Sequence, residues 1–265
     1  MTSLDVGRWK APGRLLATFA ATSVFLGTAT VRADDAAIQR KVEERLARAK
    51  VYEAADVRVT VHDGAVTLDG VAPRMDAWLR ADRAARKESK SVVNRLKVVP
   101  DEERKDSEIG KDVVDQILRY PWYTVFDSVE AGVEGGVVTL RGSVYQPYRK
   151  TDIESRVAGI EGLKGLVSEI RVQGPSSFDD RLRRELVRGI YGDERFVQYA
   201  SWAHPPIRII VDGGRVTLTG FVGSAVEQQL VGHIARGTLA FAVDNQVKLE
   251  SERSAEPARN GPFES

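Results

Sequence analysis

Three histidines, His62, His204 and His233, are the natural candidates for proton transfer or metal ligation, and they stand far apart in the chain. None makes an i, i+3 or i, i+4 pair with a carboxylate in a recognisable metal motif. His62 lies beside a turn, where a solvated side chain accounts for it. There is no cysteine, which excludes disulfides, thiolate nucleophiles, cysteine-ligated zinc and iron–sulfur clusters. The 38 acidic residues hold no paired-carboxylate pattern that stands out. No G-x-S-x-G and no phosphate-binding loop is present. Gly135-Gly136 and Gly213-Gly214 could suggest a phosphate cradle, but a hairpin turn explains them more simply. The expectation is a chain without catalytic residues, metal or cofactor. An enzyme whose site is assembled only in space stays open as a third reading.

Binding chemistry is better represented. Arg80, Arg83, Lys87 and Lys90 follow steps of three, four and three, one basic stripe on a helix. Ala77, Ala81 and Ala84 mark another face, which would lie close to a sheet. Met75 and Leu79, with Trp78 on the shoulder, then point largely away from it. Apolar rings bordering cations suit an anionic phospholipid surface, where rings enter the headgroup layer and cations meet phosphate. The alternative is that Trp78 and Leu79 pack on a neighbouring unit while the stripe is solvated. Two aromatic loops need the same treatment. Trp122, Tyr123 and Phe126 lie in one; Phe196, Tyr199 and Trp202 lie in the other. They close the open end of a small core, or Trp122, Tyr123, Phe196, Tyr199 and Trp202 line a groove for an envelope-protein partner. Arg149 and Lys150 are expected to be solvated.

The elements that must position these residues follow from a phrase that occurs three times. It reads Gly64-Ala-Val-Thr-Leu-Asp-Gly70, Gly136-Val-Val-Thr-Leu-Arg-Gly142 and Gly214-Arg-Val-Thr-Leu-Thr-Gly220. Alternating residues precede each copy: Val57, Val59, Val61; Val129, Ala131, Val133; Ile207, Ile209, Val211. Period-two alternation marks a half-buried strand. Asp63-Gly64, Gly135-Gly136 and Gly213-Gly214 supply the positive φ of a tight turn. Each copy is therefore a β-hairpin, with the first glycine in the turn and the second ending the strand. The copies are about one small domain apart, so the chain reads as tandem domains rather than a solenoid.

Before each hairpin a helix is expected, with buried stripes Ile38, Val42, Leu46; Ile109, Val113, Ile117; and Leu182, Leu186, Ile190. Asp34 or Asp35 caps the first of these helices and Ser107 the second. After each hairpin a second helix opens near Pro73, at Pro147, and at the cap Ser224. Closing strands are expected at 92–99, 166–172 and 243–249. Linkers fall at 101–105 and 174–177.

Arg8, Lys10 and Arg14, the uncharged run Leu15 to Ala29 and the small-x-small site Val31-Arg32-Ala33 read as a secretory signal over 1–33. The formal charge is +1; residues 1–33 carry Arg8, Lys10, Arg14 and Arg32 against Asp5, or +3, which leaves the remainder at −2. Export and faint acidity argue against nucleic acid as a partner. Residues 251–265 lack an apolar period and read as a disordered tail.

The hairpin phrase, the helix that begins just after its second glycine, and the closing runs Val92-Val-Asn-Arg-Leu96 and Leu166-Val-Ser-Glu-Ile-Arg-Val172 resemble the BON domain family (bacterial OsmY and nodulation). The resemblance covers three copies, 34–100, 106–173 and 178–250. It implies an α+β chain of three small α/β sandwiches. Each would be helix-strand-strand-helix-strand, with two helices on a three-stranded mixed sheet. It also implies a non-enzymatic, periplasmic protein of the cell envelope, associated with osmotic stress and with anionic phospholipid surfaces. A chaperone-like or scaffolding module is the alternative. The first copy departs from the pattern in lacking a glycine between helix and last strand, with Lys87-Glu-Ser-Lys-Ser91 instead, and the third has an enlarged loop over 192–206.

Overall fold

The computed structural model describes residues 26–253. Three α+β units follow one another along the chain. The first comprises α1 (Leu26–Arg48), β1 (Asp56–His62), β2 (Ala65–Ala72), α2 (Met75–Arg86), β3 (Val92–Asn94) and β4 (Lys97–Val98). The second comprises α3 (Asp106–Leu118), β5 (Ser128–Glu134), β6 (Val137–Val144), α4 (Pro147–Ala158) and β7 (Gly165–Val172). The third begins with α5 (Ser177–Tyr191) and the short α6 (Val197–Ala200). It continues through β8 (Ile207–Asp212), β9 (Arg215–Val222), α7 (Ala225–Arg236), β10 (Ala242–Asn245) and β11 (Lys248–Leu249), and a short α8 (Glu250–Arg253) follows.

In every unit the phrase strand is central. It pairs antiparallel with the strand before it and parallel with the closing strand, giving a mixed sheet. Val66 and Leu68, Val138 and Leu140, and Val216 and Leu218 alternate into the cores, as the period-two pattern requires. The helical stripes meet them: Val42 and Leu46, Ile109, Val113 and Ile117, and Leu182, Leu186 and Ile190 are all buried. Each unit thus has its own apolar cluster.

Both turn residues of each hairpin are left-handed: Asp63 and Gly64 at φ 49° and 75°, Gly135 and Gly136 at 59° and 79°, Gly213 and Gly214 at 58° and 73°. That is the turn whose twist matches the flanking strands. The second glycine does something other than end the strand. Gly70, Gly142 and Gly220 lie inside β2, β6 and β9, with φ of 139°, 120° and 105°. A Cβ there would stand 2.0 Å from the Asp56 carbonyl oxygen, 2.0 Å from that of Ser128 and 1.8 Å from that of Pro206. The glycine lets the first strand's backbone press directly onto the central strand.

Other boundaries shift for local reasons. Helix α1 starts at Leu26, inside the segment expected to be a signal, while residues 1–25 of that segment lie outside the described residues. Asp35 therefore lies within a helix rather than capping one. Helix α3 is entered through Lys105 without a side-chain cap, so Ser107 is not its cap. Helix α7 has the full capping box of Ser224 and Glu227. Of the tail expected from 251, residues 251–253 are helical and 254–265 lie outside the described residues.

The closing strands of the first and third units are broken by one device. Asn94 accepts from Leu96 N at 3.2 Å and donates to the Trp78 carbonyl at 3.3 Å. Asn245 accepts from Val247 N at 3.3 Å and donates to the Gln228 carbonyl at 2.8 Å. An asparagine in this position turns its own backbone out of the ladder and ties it to the second helix. Ser168 stands at the matching register opposite Leu140, and β7 runs unbroken.

Candidate functional site

The stripe expected to meet a membrane in the first unit is turned inward. Met75 is 3 % exposed and belongs to the apolar cluster of the second unit, with Trp78 and Leu79 packed against the same cluster. Arg83 donates to Ser155 Oγ at 2.6 Å, to the Thr151 carbonyl at 3.2 Å and to Glu154 at 2.9 Å, all on α4. Arg74 donates to the Gly159 carbonyl at 2.7 Å. Arg80 stays within its own unit, bonded to the Ala49 carbonyl at 2.8 Å and to Asp76 at 3.2 Å. Helix α2 ends at Arg86, so Lys87 and Lys90 do not continue a helical stripe, though both are exposed. Of the two readings of this cluster, packing of Trp78 and Leu79 on a neighbouring unit is the one the structure has. Met75 and Leu79 point away from the alanine face because a neighbour is there.

The loop aromatics separate by depth. Tyr123, Phe196 and Tyr199 are core residues. The Tyr123 hydroxyl accepts from Val129 N at 3.0 Å while the Arg208 guanidinium lies 4.8 Å from its ring centre. Burial pushes that hydroxyl's pKa up, opposed by Arg208. The Tyr199 hydroxyl donates to Glu227 and accepts from Gly223 N, both at 3.2 Å, closing α6 over the start of α7. Only Trp122, 60 % exposed, and Trp202, 54 % exposed, present rings to solvent. The five do not line one groove.

Buried polar groups that spacing did not reveal lie inside the second unit and across its junction with the third. Arg149, expected in solvent, is buried and pairs with the fully buried Asp127, which also accepts from Thr124 N and Tyr145 N at 2.8 Å. Arg183 donates to Gln173 at 2.9 Å and to the Val211 carbonyl, and lies 4.5 Å from the Tyr145 ring centre. Ile209 N donates to the Val125 carbonyl at 2.7 Å, so the second unit's loop extends the third unit's ladder. A buried charge such as Arg183 costs about 3–5 kcal/mol when it loses its partners, whereas an ion pair open to water such as Arg74–Glu161 contributes about 0–1 kcal/mol. The two junctions differ accordingly.

Each hairpin turn is held by one carboxylate of the preceding helix. Asp35 accepts from Asp63 N at 3.0 Å and Gly64 N at 2.8 Å. Asp106 accepts from Gly135 N and Gly136 N, both at 2.8 Å. Asp179 accepts from Gly213 N at 2.9 Å and Gly214 N at 2.7 Å. The paired turn amides are therefore taken and no phosphate cradle is left. The glycines Gly64, Gly136 and Gly214 are structural.

A surface that combines unpaired cations with exposed apolar groups lies on the third unit. Arg181, Arg184 and Arg188 follow steps of three and four on α5, opposite the buried Leu182, Leu186 and Ile190. All three are exposed, and none has an ion pair among the described residues. Helix α7 lies against α5, so close that a Cβ on Gly189 would stand 2.9 Å from Ile234. It presents Val226, Gln229, His233 and Arg236 outward. At the α7 end, Phe178 stacks on Phe241 with centroids 5.2 Å apart. Phe241 is 77 % exposed and the nearby Leu239 73 %. Four arginines stand there against Glu185 alone among the exposed acids of α5 and α7. The three-four spacing of the α5 arginines was the signal that could have found them.

Two shallow clefts of about 530 and 440 Å³ lie beside α4 and share Ser155 and Arg156. No histidine lines either, and the one carboxylate–hydroxyl pair there, Tyr120 donating to Asp152 at 2.6 Å, keeps the phenol protonated by burial and then by Asp152. Among the described residues no group of three or more His, Asp or Glu could hold a metal ion, and no helix is long and apolar enough to cross a membrane.

A sequence model described as BON domain matches residues 34–100, 105–174 and 193–251. No match was found among curated proteins. Among solved structures, the C-terminal domain of CdsD, the structural protein of the Type III secretion system of Chlamydia trachomatis, is 15% identical. It covers 79% of this chain and 96% of that one, with a TM-score of 0.25. A second structure of CdsD is 14% identical over 81% and 96%, with a TM-score of 0.24. At such scores the likeness carries no argument.

Proposed function

The chain belongs to the BON domain family, and from that premise we propose that it is a non-catalytic protein of the periplasm that attaches to anionic phospholipid surfaces and supports the envelope under osmotic or other stress. BON domains are generally binding modules with phospholipid- and envelope-associated roles. The observation that carries the reading is the α5–α7 face, where Arg181, Arg184, Arg188 and Arg236 lack ion pairs among the described residues and border Phe178, Leu239 and Phe241. The aromatic pair enters the headgroup layer while the guanidinium groups meet phosphate. Each cation near such a surface contributes about 1 kcal/mol, and salt weakens it. Three modules on one chain then raise effective concentration if more than one engages.

Co-sedimentation with vesicles of phosphatidylglycerol and of phosphatidylcholine tests this. Binding is expected to phosphatidylglycerol alone and to fall steeply with salt. The triple variant R181A/R184A/R188A should lose it, and L239A/F241A should weaken it. Salt-insensitive capture of unfolded chains, with no vesicle binding, would replace this reading by a chaperone-like or scaffolding role centred on the exposed Trp122 and Trp202.

A further inference from the structure

We infer that the first unit carries a second anionic-membrane contact on α2, which the second unit masks and an anionic surface uncovers. This rests on the proposed attachment of the third unit. The masked face combines the same kinds of group as the open one: Arg74 and Arg83 beside Met75, Trp78 and Leu79. It differs in being occupied. Glu154 and Glu161 of the second unit stand where lipid phosphates would stand, at 2.9 Å from Arg83 and 3.6 Å from Arg74.

The junction is built to exchange those partners. Its charged contacts reach water: the Arg74 and Glu161 side chains are open to it, and Arg83 keeps about a third of its surface although Glu154 is mostly covered. The bonds to Ser155 Oγ and to the Thr151 and Gly159 carbonyls are also at the surface. A phosphate-dense plane offers each guanidinium an anionic partner of the kind it gives up. Met75, Trp78 and Leu79 leave the second unit's cluster and enter the headgroup layer, so their apolar surface is not returned to water. The junction of the second and third units has no such exchange available. There the buried Arg183 meets Gln173 and the Tyr145 ring, Arg208 donates to the Thr124 carbonyl, and Ile209 is bonded to the Val125 carbonyl through the backbone. The first unit therefore swings while the other two move as one body.

The chain has no cysteine, so paired labels can be placed cleanly. Spin labels on K87C/E130C report the first junction, and labels on K111C/E194C report the second; all four positions are exposed. On phosphatidylglycerol vesicles the 87–130 distance should lengthen and broaden while the 111–194 distance stays as it is in solution. E154Q, which removes the Arg83 partner without touching the third unit, should raise vesicle affinity about two- to fivefold. Vesicle binding with an unchanged 87–130 distance would overturn the masked contact and leave the third-unit reading standing. Failure of the unmodified chain to sediment with vesicles would overturn both.

Discussion

Removing the Asp179 carboxylate should unravel the third unit selectively. Asp179 is 1 % exposed and accepts two backbone N–H groups, from Gly213 at 2.9 Å and Gly214 at 2.7 Å. A hydrogen bond to a charged group contributes about 1.5–3 kcal/mol net, and both turn amides lose their acceptor in Asp179→Ala. Water reaches the Gly213 side more readily, so the expected loss is about 3–4 kcal/mol rather than the full sum. Asp179→Asn keeps one acceptor oxygen but turns an NH₂ group toward the other amide, and should lose about half as much. At Asp35, whose bond to Asp63 N is exposed, the alanine change should cost about 1 kcal/mol. Native-state hydrogen exchange in the whole chain reads this out by unit. In Asp179→Ala the Ile209 and Leu218 amides should exchange several-hundred-fold faster, roughly 150- to 900-fold, while Leu68 in the first unit is unchanged. Unaltered protection at Ile209 and Leu218 would refute the idea that the carboxylate holds the hairpin.

Three further outcomes follow from the same geometry. Gly142→Ala places a methyl 2.0 Å from the Ser128 carbonyl at positive φ and should cost about 3 kcal/mol or more, whereas Gly132→Ala, with nothing within 4 Å, should stay within about 1 kcal/mol in urea unfolding. Asp127→Ala strands the buried Arg149 and should lower stability by about 3–5 kcal/mol; because Asp127 also holds Thr124 N in the loop whose Val125 carbonyl accepts from Ile209 N, the second and third units should loosen together, and a change confined to the second unit's amides would contradict that coupling. Burial, and then Arg208, hold the His204 pKa below its ordinary value, so the unfolded chain binds that proton more readily. The third unit should therefore lose stability as pH falls from about 6.5 through the lowered folded value, and His204→Gln should flatten that slope in pH-dependent melting.

The hairpins were legible because period two and the Asp-Gly or Gly-Gly pair are local signals. The helix stripes were legible for the same reason. The asparagine breaks in the closing strands were not, since Asn94 acts by reaching the Trp78 carbonyl sixteen residues away. The turn-holding carboxylates are not legible in sequence because Asp35, Asp106 and Asp179 meet amides 29, 30 and 35 residues on. Arg181, Arg184 and Arg188 are visible at three-four spacing, as Arg80 beside Trp78 is on α2. Composition does not distinguish those two faces.

The amino-acid sequence by itself determined the number of units, their element order and which residues alternate into each core. Those depend on neighbours a few positions apart, and backbone geometry imposes their periods. Tertiary structure decided which basic, aromatic-edged helix is open. Helix α2 and helix α5 carry similar side chains, yet α4 covers the first with Glu154 and Ser155, while Arg181, Arg184 and Arg188 of α5 keep none of the described acids as partners. Whether a charge is free depends on what another unit places opposite it, and no local period records that.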